Sequence, residues 1–374
     1  MDARARRGRP GSPGLDLAVL ILVVNAGSTS LKLNLVGADE TVTTVAGLEA
    51  VDPGQVDAVG HRVVHGGARF RKPVVIDAAV REEIVALEAL APLHNAPALA
   101  GIEAAQRALP DVPHVAVFDT AFHATIPDEA AVYAVPRRWR EAWGVRRYGF
   151  HGLSVAWCAE RVPELLGRPA AGLRLAVCHL GGGSSVTAVR DGRSVDTTMG
   201  FSTLEGVPMA TRSGSVDPGA LVFLMREHGL DAEALDHALN FDSGLKALAG
   251  GSGGMLEVEQ AALAGDTSAA LALEVFLHRL AGAVAAMAAA MRGLDAIAFT
   301  AGIGEGSALV RERLCERLRF LGVELDRERN AAAEPDCDVA AERSPVRALV
   351  VRAREELVAA RAVRALLDSS RERT

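Results

Sequence analysis

Two short turns concentrate the groups that phosphate oxygens need. The first, Asn25-Ala-Gly-Ser-Thr-Ser-Leu-Lys32, offers backbone amides, hydroxyls, a carboxamide and an ammonium within one tight reversal. Glycine allows close backbone approach there, and Lys32 complements anionic charge. The second, His179-Leu-Gly-Gly-Gly-Ser-Ser185, repeats the composition with Gly181 and Gly183 inside a triple glycine. Neither is a Walker loop, because an alternating strand and not a helix follows the turn. Taken singly, each is as compatible with a polar hairpin as with a ligand site. Arg62 in GHRVVHGG and Arg212 in ATRSGS are read as turn residues after strands, where a planar guanidinium can grip phosphate or pair with a carboxylate. Asp119 follows the apolar run VAVF, at the carboxyl end of a strand, where α/β proteins place reacting groups as well as ordinary turn aspartates. Glu355 and Glu356 follow ALVVRA and suit either a divalent cation or the positive end of a helix.

Histidines recur beside glycines and apolar turns: His61, His65, His94, His123, His151 and His179. None has the HExxH spacing of a zinc helix, so imidazole donors facing an anion fit better than a metal centre. The segment Phe299–Ser307, FTAGIGEGS, reads as strand, glycine turn and helix start, with Gly302, Ile303 and Gly304 offering backbone to a nucleotide.

These turns must be held by alternating strands and helices. Strands are expected at Leu17–Val24, in the run following Asn25, at Ala58–Val64, His114–Phe118, Leu175 onward, Ala296–Thr300 and Ala348–Val351; helices are expected near Ala78–Leu90 and Leu309–Leu321. That alternation is the signature of α/β layers. The likeness of LVVNAGSTSLKLNLV to LAVCHLGGGSSVTAVRDG suggests a duplicated fold. At 374 residues the chain exceeds what one core usually organises. The expected division is a disordered arm over 1–16, a first lobe over 17–148 to which 353–374 returns, and a second, nucleotide-binding lobe over 149–352. The basic start and apolar run imitate a signal peptide, but the run passes straight into a hairpin. Ala269–Met291 is apolar enough for a membrane span, yet Glu274, His278 and Arg279 interrupt it, which argues for a buried helix. The net charge of −7 argues against nucleic acid as a partner, and four scattered cysteines imply reduced thiols in a cytoplasmic protein.

In this order, NAGSTSLK, GHRVVHGG, APLHNAP, FDTAFHATIP, RRYGFHG, HLGGGSS, MGFSTLEG, TRSGSVDPG, FTAGIGEGS and REELVAAR resemble the acetokinase family, which includes acetate, propionate and butyrate kinases. The resemblance implies the two-lobed actin/Hsp70/sugar-kinase-like fold, a homodimer, and direct transfer of a phosphoryl group between ATP and a small carboxylate such as acetate, with Mg2+ or alternatively Mn2+. It further implies Asn25 and Glu355 at the metal; Arg62, His151 and Arg212 at the transferring group; and Asp119 positioning the carboxylate or metal. His179, the glycines around Gly183 and the Gly302–Gly304 turn would lie along the donor, with Val64, Leu93 and Phe150 walling the acid pocket. The chain departs from the family pattern at Gly254-Met255-Leu256, where an acid, an aromatic or Met, and an arginine usually meet the adenosine. It also departs at Gly182 and Gly306, which replace asparagines, at Thr203, which replaces a proline, and in a shorter stretch between Lys32 and Arg62. Alternatives left open are a propionate-preferring or pyrophosphate-dependent enzyme and a binding protein on the same fold.

Overall fold

A computed structural model describes residues 19–26, 31–90 and 92–371, without the side chains at 89–90, 92–94 and 370–371. The expected arm over 1–16 and most of the first turn, 27–30, lie outside the described residues.

Among the described residues, runs of Val, Ile and Leu that alternate or are continuously apolar form twelve strands in two sheets. The first sheet comprises β1 (Ile21–Ala26), β2 (Leu31–Val36), β3 (Val42–Val45), β4 (Ala58–Val63), β5 (Val74–Val75) and β6 (His114–Phe118), in the order β3-β2-β1-β4-β6-β5. The second comprises β7 (Arg174–Leu180), β8 (Ser184–Arg190), β9 (Arg193–Thr197), β10 (Ala296–Thr300), β11 (Cys337–Asp338) and β12 (Arg347–Val350), in the order β11-β12-β10-β7-β8-β9. Read from the opposite edge, the second order repeats the first strand for strand. Each sheet opens with an antiparallel meander, adds two parallel strands and closes with a short antiparallel edge. The similarity of the two glycine turns is thus the visible part of a full topological repeat: each turn joins the first two strands of its sheet.

Helices fill three layers around the sheets. Helix Gly152–Leu166 and the last helix, Glu355–Arg371, lie between them; Val155, Val162, Ala359 and Val363 share one core with Ile21 and Val23 of the first sheet and Val177 and Leu349 of the second. The last helix packs over β1, β2 and β4, where Gly60 admits it: a Cβ there would come within 2.9 Å of Val363. Helices Ala78–Ala86 and Pro92–Ala108 cover the outer face of the first sheet through Ile84, Ile102 and Ala105. Helix Thr267–Met291 covers the second sheet with Phe276, Leu277, Leu280 and Val284, beside helix Ala308–Arg317. Its Glu274, the charge that interrupts the apolar run, pairs with Arg313 and Arg317 of that neighbour.

The strand that carries Arg62 is braced from its other face by two stacked imidazoles. His61 on β4 and His114 on β6 are 2.9 Å apart, Nε2 to Nδ1, and His114 Nε2 lies 3.0 Å from the carbonyl of Leu109. A chain of donors fits only neutral rings: His114 donates to the carbonyl, His61 donates to His114, and His61 Nδ1 is buried with no partner among the described residues. Burial, with repulsion from His114, holds His61 down at about 3, and burial lowers His114 as well. Both folded values lie below the ordinary value of 6.5, so the unfolded chain takes up the protons first. The stability these rings contribute is complete above 6.5 and is lost as the pH falls from there towards 3. The melting temperature is therefore expected to fall steadily on acidification through that window; a flat profile between pH 7 and 5 would contradict the neutral pair.

Candidate active site

The carboxyl ends of β1 and β4, the start of β2, the end of β7 and the first turn of the last helix converge on a cleft of about 310 Å3 between the sheets. Asn25, Lys32, Arg62, His179, Gly302 and Glu355 all contribute to its walls.

Arg62 lies within β4, opposite Val117, and not in a turn after the strand as its small neighbours suggest. The glycines that prompted the turn reading, Gly66 and Gly67, come after the strand has ended. From β4 the guanidinium reaches Asp119 in a bidentate pair, with Nε to Oδ1 at 3.0 Å and Nη2 to Oδ2 at 2.5 Å. Its Nη1 donates to Asn25 Oδ1 at 3.0 Å, and Glu355 Oε2 stands 3.7 Å from Nε. Asp119 is fixed by chain geometry as well as by charge. It follows β6 directly, and the start of helix Gly152–Leu166 presses so closely on it that a Cβ at Gly152 would lie 1.9 Å from the Asp119 carbonyl oxygen.

The charges on this floor are unequal. Burial works against the charge of Arg62, but Asp119 and Glu355 outweigh it and raise its pKa. Burial also pushes Glu355 up, yet Arg62, His179 and Lys32 together bring it below the ordinary carboxylate value. For Asp119, burial raises the carboxyl, Arg62 opposes that shift and Glu355 adds to it. Two acids thus share one guanidinium, with the exposed ammonium of Lys32 nearby. Such a floor has room for further positive charge.

Beside His151 the imbalance is reversed. Arg212 has no carboxylate within ion-pair distance among the described residues; its one hydrogen bond there runs from Nη1 to the carbonyl of Thr203 at 3.2 Å. Burial lowers its pKa. Its Nη2 and His151 Nε2 converge on Gly183, each 3.2 Å from where a Cβ would stand, so the glycine leaves room between two donors. His151 holds a left-handed φ of 59°, a costly conformation for a residue with a side chain. Its ring stacks on His179 with centroids 3.9 Å apart. Burial, reinforced by the neighbouring ring and by Arg62 and Arg212, holds His151 well below its ordinary value; burial brings His179 to about 4. Both imidazoles are therefore neutral near pH 7.

The remaining expected residues separate into two groups. Gly181 backs on Gly183 and Ala301, and Gly302 faces the cleft. Ile303 packs against the core of the second sheet, and Gly304 lies against Phe299. The difference arises because the glycine turn expected at Phe299–Ser307 is itself a short helix, Ala301–Gly306, entered directly from β10 at an Ala301 with φ of 66°. Glu305, which the sequence reading passed over, holds that entry: its Oε1 accepts from the amides of Ala301 at 3.0 Å and Ala353 at 2.9 Å. Val64 and Phe150 form a buried apolar cluster with Met199 and Met209; the side chain of Leu93 lies outside the described residues. The serines beside the two histidines, Ser154 and Ser185, were also missed, although Ser154 stands one helical turn from His151.

Two sheets of the same strand order around a cleft define an α/β protein of the actin and sugar-kinase-like architecture. The Acetokinase family profile matches residues 48–361, and the chain belongs to that family. A curated acetate kinase from Microcystis aeruginosa is 44% identical over 371 residues, covering 95% of this chain and 92% of its own. Another, from Deinococcus deserti, is 52% identical over 335 residues, covering 88% and 83%. Among solved structures, a propionate kinase from Francisella tularensis superposes with a TM-score of 0.86 at 35% identity, over 92% of this chain and 98% of the other. The acetate kinase of Porphyromonas gingivalis does so with a TM-score of 0.84 at 33% identity, over 94% and 100%.

The two arginines should differ sharply when their surroundings are cut away. Asp119→Ala removes the bidentate partner of a part-buried guanidinium that keeps only Glu355 at 3.7 Å, and is expected to cost about 1.5–3 kcal/mol in urea unfolding. Arg212→Ala breaks no ion pair and should cost about 1 kcal/mol or less. Equal losses would contradict the assignment of one paired and one free arginine.

Proposed function

We propose that this chain is an acetate kinase, reversibly transferring the γ-phosphoryl group of ATP to acetate to give acetyl phosphate and ADP. The observation that carries the reading is the free guanidinium of Arg212, which meets His151 Nε2 across the space beside Gly183. A half-buried cation without a carboxylate partner among the described residues is a ready receptor for an anion. The curated relatives named acetate kinase support the choice of acceptor.

In this reading the acetate carboxylate, already an anion near neutral pH, attacks phosphorus directly. The bond to the leaving ADP oxygen breaks as the acyl–oxygen–phosphorus bond forms, and no proton need be moved. The protein's contribution is alignment and charge compensation. Arg212 and His151 meet the oxygens of the transferring group. Arg62, held in a fixed plane by Asp119, faces it too. The donor phosphates lie along His179, Gly181 and Gly183, and the methyl group sits against Val64 and Phe150.

Magnesium fits the oxygen donors of the floor. Asn25 and Glu355 would hold it, and no cluster of three or more His, Cys, Asp or Glu among the described residues offers an all-protein cage. That suits a cation completed by water and substrate phosphates. When bound, it neutralises charge on the phosphates.

The nucleoside end is less furnished. Gly254 begins helix Met255–Leu263 without a side-chain cap, Met255 is buried and Leu256 is 69% exposed. A Cβ at Gly182 or at Gly306 would meet nothing within 4 Å. The donor is therefore read as gripped mainly through its phosphates, with weak discrimination of the base.

We also read the protein as a cytoplasmic homodimer. Helix Pro218–His228 buries none of its residues and exposes Val222, Phe223 and Met225, a surface suited to a second copy.

The test is acyl-phosphate formation by the purified chain with magnesium, offering acetate, propionate and butyrate against ATP, GTP and pyrophosphate. Turnover with acetate and ATP is expected, with GTP within about tenfold of ATP and Arg212→Ala losing at least about a hundredfold. Silence with every donor would favour a binding protein on this fold, and a preference for propionate or pyrophosphate would move the assignment to those donors or acids.

A further inference from the structure

The two stacked imidazoles are held by a reciprocal pair of serines. His151, at the start of helix Gly152–Leu166, has its Nδ1 2.9 Å from Ser185 Oγ on β8. His179, at the end of β7, has its Nδ1 2.6 Å from Ser154 Oγ on that helix. The helix histidine is thus fixed by a strand serine, and the strand histidine by a helix serine. Both serines are fully buried.

Proton counting fixes the direction of these bonds. Ser185 Oγ has no other acceptor among the described residues, so its single proton is satisfied only by pointing at His151 Nδ1. That nitrogen must then be bare, and the ring proton sits on Nε2, which faces Arg212 across Gly183. Ser154 has two acceptors within reach, the His151 carbonyl at 3.1 Å and His179 Nδ1 at 2.6 Å. The carbonyl already accepts the amide of Val155 at 3.0 Å, whereas a bare Nδ1 has no alternative donor. Spending the hydroxyl proton on the ring leaves His179 with its own proton on Nε2 as well. In the opposite arrangement Nδ1 would carry the proton and present a lone pair at Nε2, which repels a phosphate oxygen.

We infer that Ser154 and Ser185 are positioning residues that set both imidazoles as neutral Nε2–H donors, so that the stacked pair offers two N–H groups to an anion without adding charge. The neutrality is required by the geometry. Two imidazolium rings stacked at 3.9 Å beside Arg62 and Arg212 would repel one another and both arginines. This assignment rests on the phosphoryl-transfer reading for its purpose, but not for its detection.

The experiment is long-range 1H–15N correlation on the full chain labelled with 15N-histidine, the two rings being identified through His151→Gln and His179→Gln. Both rings are expected as Nε2–H tautomers at pH 7.5. Ser185→Ala should move the His151 signals, and Ser154→Ala those of His179, towards the mixed or Nδ1–H form. Turnover in each should fall roughly tenfold with the KM for acetate changed less than about twofold, as for a lost hydrogen bond that acts through orientation. Ser185→Thr, which keeps the hydroxyl, should restore the native tautomer of His151. An Nδ1–H tautomer at either ring in the native protein, or alanine variants whose ring signals do not change, would overturn the assignment; the native spectrum decides this even if a variant fails to fold. Should the tautomers respond as expected while the native chain makes no acyl phosphate, the serine roles stand and the kinase reading falls.

Discussion

The bidentate pair between Arg62 and Asp119 is the constraint around which the cleft is organised. A guanidinium and a carboxylate buried together are costly to desolvate, and their attraction repays that cost only when every remaining donor and lone pair finds a partner. Here β4 and the end of β6 supply the two ions, Asn25 at the end of β1 accepts from Nη1, and Glu355 on the last helix stands 3.7 Å from Nε. Four separate segments must be in register before the pair can form. Gly60 lets the last helix settle on β4, and Gly152 lets another helix begin against the Asp119 carbonyl. The core packing and the site chemistry therefore impose the same demands on the same backbone positions.

What the sequence reveals follows from how local each signal is. The second glycine turn, the central strands of both sheets and the duplication are legible, because apolar alternation and glycine clusters act over a few residues. The edge strands β3, β5, β9 and β11 are not: two to five residues long, they owe their existence to a neighbour's hydrogen bonds and carry little pattern of their own. For Arg62 the glycines that follow suggest a turn, whereas the apolar run Ala58–Val64 reads as a strand, and the pairing of β4 with β6 bears out the strand. Ile303 and Gly304 belong to a motif that reads as one exposed turn; only the direct entry of a helix from β10 turns them towards the core. The family resemblance supplied the identities of Arg212, His151 and Asp119 as partners, since residues so distant in sequence give no local sign of meeting.

The two arginines differ in their surroundings. Arg62 is answered by Asp119 and Glu355, with Lys32 nearby; Arg212 is answered, among the described residues, by a single backbone carbonyl. A substrate carrying several phosphate oxygens bridges this asymmetry: it brings anionic charge to Arg212, and a cation held with it faces the carboxylates. Gly254 and Leu256, where charged side chains are usual in the family, offer a nucleoside no charged group, so on the reading proposed above discrimination of the donor falls to its phosphates.

The same reasoning accounts for histidines where further arginines might have been used. A third fixed cation beside Arg62 and Arg212 would bind phosphate more tightly in the ground state, and uniform tightening of that kind does not accelerate the chemical step. A neutral N–H donor adds direction without adding charge, provided that the ring cannot acquire a second proton. Burial and stacking prevent that here, since either ring would have to take on charge next to the other and next to the arginines. The left-handed backbone at His151 is what brings its ring over His179 at the entrance to the helix. The conformational cost at that one residue is thus tied to holding two donors in fixed orientation, and it falls at the point where the helix packed between the two sheets meets the glycine turn of the second.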